Sequence, residues 1–130
     1  MQATKTILIA DDSDGHRKVL ELVLSAHNYE VVAAQDGHQA LTYLQNNTPD
    51  LMILDINMPY ASGIEVCQRA KRLTRLKHVP VIIMTSLTDT ETRNAVQDAQ
   101  ADLLINKPIT GKNLHEMIVK LWANPRFTQA

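Results

Sequence analysis

Five short apolar runs punctuate the chain: Ile7 to Ala10, Val31 to Ala34, Leu51 to Leu54, Val81 to Met84 and Leu103 to Ile105. Each is strand-sized, and the first, third and fourth do not alternate polar with apolar, the pattern of parallel strands covered on both faces. Between them apolar residues recur at helical spacing: Val19, Leu22, Val23 and Ala26; Ala40, Leu41 and Leu44; Val66, Ala70 and Leu73; Ala95, Val96 and Ala99. The last such stripe, Leu114, Met117, Ile118 and Leu121, is the cleanest. Asn46-Asn47-Thr48-Pro49-Asp50 breaks a helix, Pro80 opens the fourth run, and Asp89 and Thr110 are placed to cap helices. Strand then helix, repeated along the chain, predicts an α/β fold: a doubly wound, five-stranded parallel sheet with right-handed crossovers and five helices on its two faces. The predicted domain covers residues 1–123; the tail, 124–130, carries no pattern and is expected to fray.

Composition narrows the function classes. At 130 residues the chain can bury its own core without disulfides or a structural metal. Its 13 Lys and Arg balance 14 Asp and Glu, without the basic excess that general nucleic-acid binding requires. The stretch Arg69, Lys71, Arg72, Arg75, Lys77 and His78 is read as a solvated helix and loop. The lone Cys67 has no disulfide partner, and the five histidines have no spacing that suggests a ligand set. The first apolar run is too short for a signal sequence or a membrane span, so a cytoplasmic location is expected.

In an open parallel sheet the chemistry sits beyond the carboxyl ends of the strands. There the sequence places Asp11-Asp12, Asp55, Thr85-Ser86 and Asn106-Lys107-Pro108. Crowded carboxylates repel one another unless a cation neutralises them, and hard oxygen donors without His or Cys select Mg²⁺. Lys107 suits a phosphoryl oxygen and the Thr85 hydroxyl can donate to another. These groups suit phosphoryl transfer, with a carboxylate as nucleophile.

These elements, together with Asp55-Ile56-Asn57-Met58-Pro59-Tyr60-Ala61-Ser62-Gly63, make the sequence resemble the receiver domains of two-component response regulators, the CheY-like family. The resemblance implies strand order 2-1-3-4-5 and a signalling switch rather than a dedicated enzyme. It implies that Asp55 accepts a phosphoryl group from a sensor histidine kinase or phosphotransfer protein. Asp12 and Asp55 would hold Mg²⁺ directly, with the Asn57 carbonyl as a third ligand and Asp11 acting through water. Lys107 would pair with the phosphoryl group, Thr85 would be the switch hydroxyl, and the Lys107–Pro108 bond would be cis. Partners expected are the phosphodonor, a downstream output protein or domain, and a phosphorylation-dependent second copy. The chain is expected to be a stand-alone regulator or the receiver end of a longer one, its short tail favouring the former.

Three departures stand out. Leu104 occupies the place of the family's usual aromatic residue, so the loop after Thr85 and the face of the fourth helix are expected to carry the signal. Gln100 stands where the family favours Gly at a helix end, so it must accept a left-handed backbone or end the helix differently. Leu87, two residues after Thr85, offers no acid, base or hydrogen bond near the phosphoryl position. Two other functions are weighed. A haloacid-dehalogenase-like phosphatase needs a second aspartate where Asn57 stands, and a flavin module needs a phosphate loop where Asp11-Asp12 stand.

Overall fold

The computed structural model describes residues 4–87 and 89–128. Strands β1 (Thr6–Ala10), β2 (Glu30–Ala34), β3 (Leu51–Asp55), β4 (Val81–Thr85) and β5 (Leu103–Asn106) form one parallel sheet in the order β2-β1-β3-β4-β5. Helices α1 (Asp14–Ser25), α2 (Gly37–Asn46), α3 (Gly63–Arg72), α4 (Thr90–Asp98) and α5 (Gly111–Ala123) connect and follow the strands. The expected architecture is the observed one. Every residue of β3 and β4 is buried, because alternate side chains enter two separate apolar layers. Leu8, Met52, Leu54, Val81 and Ile83 pack with Ala40, Leu44, Val66, Ala70 and Val96 of α2, α3 and α4. Ile7, Ile9, Leu51, Ile53, Ile82 and Met84 pack with Leu20, Leu24, Leu114 and Ile118 of α1 and α5.

Side chains set the helix starts. Ser13, Asp36, Ser62, Asp89 and Thr110 each accept from the backbone N–H three residues on, satisfying a donor that the first turn leaves orphaned. Register then aligns the sheet's carboxyl edge: Ala10 lies opposite Leu54, Asp55 opposite Met84 and Thr85 opposite Asn106. The polar residues ending four strands therefore share one rim.

Three expectations are corrected. The stripe read for α1 is not its buried face: Val19 is 56% exposed and Leu22 69%, while Leu20 and Leu24 are buried. The apolar residues of α1, Val19, Leu20, Leu22, Val23 and Leu24, form an arc wider than one stripe, opposite Arg17, Glu21 and Ser25, and the phase chosen is the one that seats the i, i+4 pair Leu20 and Leu24 beside α5. The basic stretch is only partly solvated. The side chain of Lys71 is only 5% exposed, donating to Asp102 Oδ2 at 2.9 Å and the Val79 carbonyl at 3.0 Å, and Arg75 donates to the carbonyls of Leu44 and Asn47 at 2.5 and 2.8 Å, satisfying the end of α2. The tail does not simply fray, since α6 (Pro125–Thr128) follows α5. Pro is well suited to a first helical position, Asn124 Oδ1 accepts from the Arg126 N–H at 3.0 Å, and Arg126 pairs with Asp102 at 3.3 Å. Gln129 and Ala130, the end of the expected tail, lie outside the described residues.

Candidate functional site

Asp11 continues β1 by one residue, its N–H donating to the Ala34 carbonyl at 3.2 Å. That bond turns its side chain into the rim, where it is 2% exposed. Oδ1 accepts from the Ser13 N–H at 2.9 Å; Oδ2 faces the His16 ring nitrogen Nδ1 and, at 3.5 Å, Lys107 Nζ. Asp55 ends β3 and is 8% exposed, with Oδ1 3.0 Å from Lys107 Nζ. Asp12 is exposed beside them. One oxygen from each of Asp11, Asp12 and Asp55 lies within 4.8 Å of the others, the one such cluster among the described residues.

The charges are unequal in consequence. Burial pushes the Asp55 carboxyl above its ordinary value; Lys107 pulls it back, but Asp11 and Asp12 add to the rise. Burial also acts against the charge on Asp11, yet the bonds from His16 and Ser13 and the ammonium of Lys107 outweigh it and hold this carboxyl below the usual range. Asp55 is thus a crowded carboxylate whose charge is poorly compensated, next to one that is well compensated.

The loop after Asp55 is clamped by close backbone contacts. The Ile56 N–H donates to the Met84 carbonyl at 3.3 Å, and the Gly63 N–H donates to the Ile56 carbonyl at 3.2 Å. A Cβ at Gly63 would lie 2.3 Å from the Asp55 carbonyl oxygen, and one at Gly37 would lie 2.0 Å from that of Ala61, so only glycine permits either approach. Within the loop Asn57 is exposed, and Tyr60 takes a φ of 71° with its side chain 86% exposed.

Thr85 and Lys107 are tied to the same rim. The Lys107 N–H donates to the Thr85 carbonyl at 2.8 Å, and the Lys107–Pro108 peptide is cis, as the resemblance implied. Thr85 is buried, and its hydroxyl oxygen accepts from the Leu87 N–H at 2.9 Å, leaving its own hydrogen to donate. Leu104, in the place of the expected ring, is half-buried against the layer formed with α2, α3 and α4.

The structure therefore brings Asp11, Asp12, Asp55 and Lys107 together, sets Thr85 on the adjoining strand and Asn57 at the start of the adjoining loop. Two neighbours escaped the sequence reading: His16, against Asp11 Oδ2, and Arg17, whose guanidinium donates to the Asp11 carbonyl at 2.8 Å. The available signal was the Ser13 cap, which places both residues in the first turn of a helix that starts directly over Asp11. The oxygen donors are close enough to share one divalent cation, and an all-carboxylate set matches the hard-ion chemistry expected of it.

Residues 7–119 match the response regulator receiver domain family. The "Probable transcriptional regulator ycf27" of Cyanophora paradoxa is 39% identical over 117 residues, which cover 90% of this chain and 48% of that protein. The chain spans about half the length of the curated relatives it matches. Among solved structures, a CheY-like receiver domain protein from Methanospirillum hungatei JF-1 superposes with a TM-score of 0.88 at 27% identity, covering 93% of this chain and 95% of that one. The signal receiver domain of a signal transduction histidine kinase from Syntrophus aciditrophicus gives 0.89 at 28% identity, covering 98% and 96%. With its sheet order, its rim of aspartates and this match over most of its length, the chain belongs to the receiver domains of two-component response regulators.

Proposed function

We propose that Asp55 is the phosphoryl acceptor of this receiver and that its modification switches a surface read by a partner. The observation that carries this reading is the placing of a single buried, under-compensated carboxylate 3.0 Å from Lys107. In the transfer an Asp55 carboxylate oxygen attacks the phosphorus of a phosphohistidine. The P–N bond breaks, its electron pair remains on the imidazole, and an acyl phosphate forms on Asp55. Lys107 moves its ion pair from the carboxylate to a phosphoryl oxygen, so the ammonium is not left without an anion. Asp12, Asp55 and the Asn57 carbonyl would hold Mg²⁺ directly and Asp11 through water; when bound the ion neutralises charge on the carboxylates and the incoming phosphoryl oxygens.

The Thr85 hydroxyl, with its hydrogen free, donates to a phosphoryl oxygen, and the bond from the Leu87 N–H carries that movement into the loop before α4. Residue 88 of this loop lies outside the described residues. The upstream partner is a sensor histidine kinase or phosphotransfer protein; the downstream one is an output protein or domain. A second copy binding the face of α4, β5 and α5, where α4 carries the exposed Arg93 and Gln97, is an alternative reader of the same change; His115 of α5 is not on that face, since it stacks on His27 and meets the Tyr29 hydroxyl at 3.0 Å in the segment between α1 and β2. These roles place the chain in the cytoplasm, and among the described residues no helix is long and apolar enough to cross a membrane. The phosphatase alternative is disfavoured by Asn57, which cannot exchange a proton at neutral pH.

The test is incubation with acetyl phosphate and Mg²⁺ followed by intact-mass measurement at acidic pH. Wild type should gain one metal-dependent phosphoryl group, and Asp55→Asn none. No gain in folded wild type, with a phosphohistidine donor also supplied, would reject the reading.

A further inference from the structure

The first turn of α1 holds Asp11 from two sides, an arrangement the phosphoryl acceptor itself does not require. His16 Nδ1 lies against Asp11 Oδ2; a carboxylate can only accept, so this ring nitrogen carries the proton. Arg17 fixes the Asp11 carbonyl at 2.8 Å and pairs with Asp14, while the His16 N–H is itself anchored on Ser13 Oγ at 3.2 Å. The imidazole is therefore set by a capped helix end and is 28% exposed, not swinging free in solvent. Lys107 reaches the same Asp11 oxygen, but it also serves Asp55. When Lys107 turns to another anion, His16 is the remaining side chain in contact with Asp11 Oδ2 among the bonds described.

We infer that His16 is a positioning residue for the cation site, orienting the Asp11 carboxylate toward Asp12 and Asp55 so that the three oxygens are gathered before a divalent cation arrives. This rests on the reading of the aspartate cluster as a Mg²⁺ site. The imidazole nitrogen is not part of the oxygen cluster, so its effect runs through Asp11 and not through a bond to the ion. Hydrogen-bond partners outside the direct ligands change metal affinity about 10- to 100-fold when removed, because the carboxylate they hold must then be ordered at the moment of binding.

The test is calorimetric titration of Mg²⁺ into wild type, His16→Leu and His16→Asn at fixed pH, with circular dichroism confirming that each is folded. His16→Leu should weaken Mg²⁺ binding about 10-fold. His16→Asn, whose amide N–H can replace the donor near Nδ1, should recover most of that loss. In acetyl phosphate reactions the Leu variant should need more Mg²⁺ for half-maximal labelling, while its rate at saturating Mg²⁺ stays near that of wild type. Equal affinity in all three proteins, or equal loss in both variants, would overturn the role of His16. Failure of wild type to bind Mg²⁺ would instead overturn the reading of the cluster on which it rests.

Discussion

Asp11 and Asp55 share a rim and a lysine, yet their neighbours drive their carboxyls in opposite directions. Asp55 titrates above its ordinary value in the fold, so the stability it contributes is present below that value and lost as the pH rises through the raised one. At neutral pH its charge works against the fold. Asp55→Asn should therefore raise the melting temperature of the cation-free protein, by the few degrees that about 1 kcal/mol represents in a domain of this size. Asp11 titrates below its ordinary value, so its contribution is present at neutral pH and lost as the pH falls. Asp11→Asn should lower the melting temperature under the same conditions. Thermal denaturation in EDTA at neutral pH checks both; the same sign for the two variants would contradict this account of the charges. The identities of the aspartates and Lys107 were legible in the sequence because each directly ends or follows an apolar strand. His16 was not, because its partner reaches it across a turn that enters a helix rather than along the helix itself.

Among the elements, the strands were the most legible, since a run covered on both faces is written as an unbroken apolar segment. The phase of α1 was not, because its apolar arc, Val19 to Leu24, is wider than one buried stripe, and which part of it is covered is decided only when α5 is placed beside it. The covered side chain of Lys71 was hidden for a related reason: in sequence this residue belongs to a basic run, and only the fold brings Asp102 to it from β5's approach. Lys71→Met leaves the Asp102 carboxylate, 3% exposed, with the more exposed Arg126 and the Val81 N–H but without its close cation, and should cost about 3 kcal/mol in urea denaturation; a loss comparable to that of an exposed lysine would show that the pair contributes little. At the end of α4 the helix closes through Gln100 at a φ of 66°, with Ala101 N–H donating back to the Val96 carbonyl at 3.3 Å. The left-handed turn is accepted there by a residue with a Cβ. Gln100→Gly should stabilise the protein by about 1 kcal/mol, again by denaturation, and no gain would mean that the turn carries little strain.

For the whole molecule, the sheet gathers groups from four distant segments onto one rim and leaves the opposite ends of the helices to packing and tail contacts. In the proposed switch a change at Asp55 is passed to Thr85 and, through its bond with the Leu87 N–H, to the segment before α4, whereas Leu104 offers no ring to reorient. On phosphorylation, amide resonances from Ser86 through α4 should shift while the Leu104 methyl resonances stay near their original positions. The reverse pattern would place the switch at β5. How the output partner reads that surface was not legible in either sequence or fold, because exposed residues of α4 and α5 are specified by a partner and not by the core.

The proposed switch is chemical and local: one phosphoryl group, on the carboxylate of Asp55. Borohydride reduction of the phosphorylated protein converts an acyl phosphate to the corresponding alcohol, and peptide mass mapping then locates the altered residue. The account expects homoserine at position 55, formed only when Mg²⁺ and phosphodonor were both present; reduction at Asp11 or Asp12 instead, or at no aspartate of the rim in protein that carries phosphate, would contradict it.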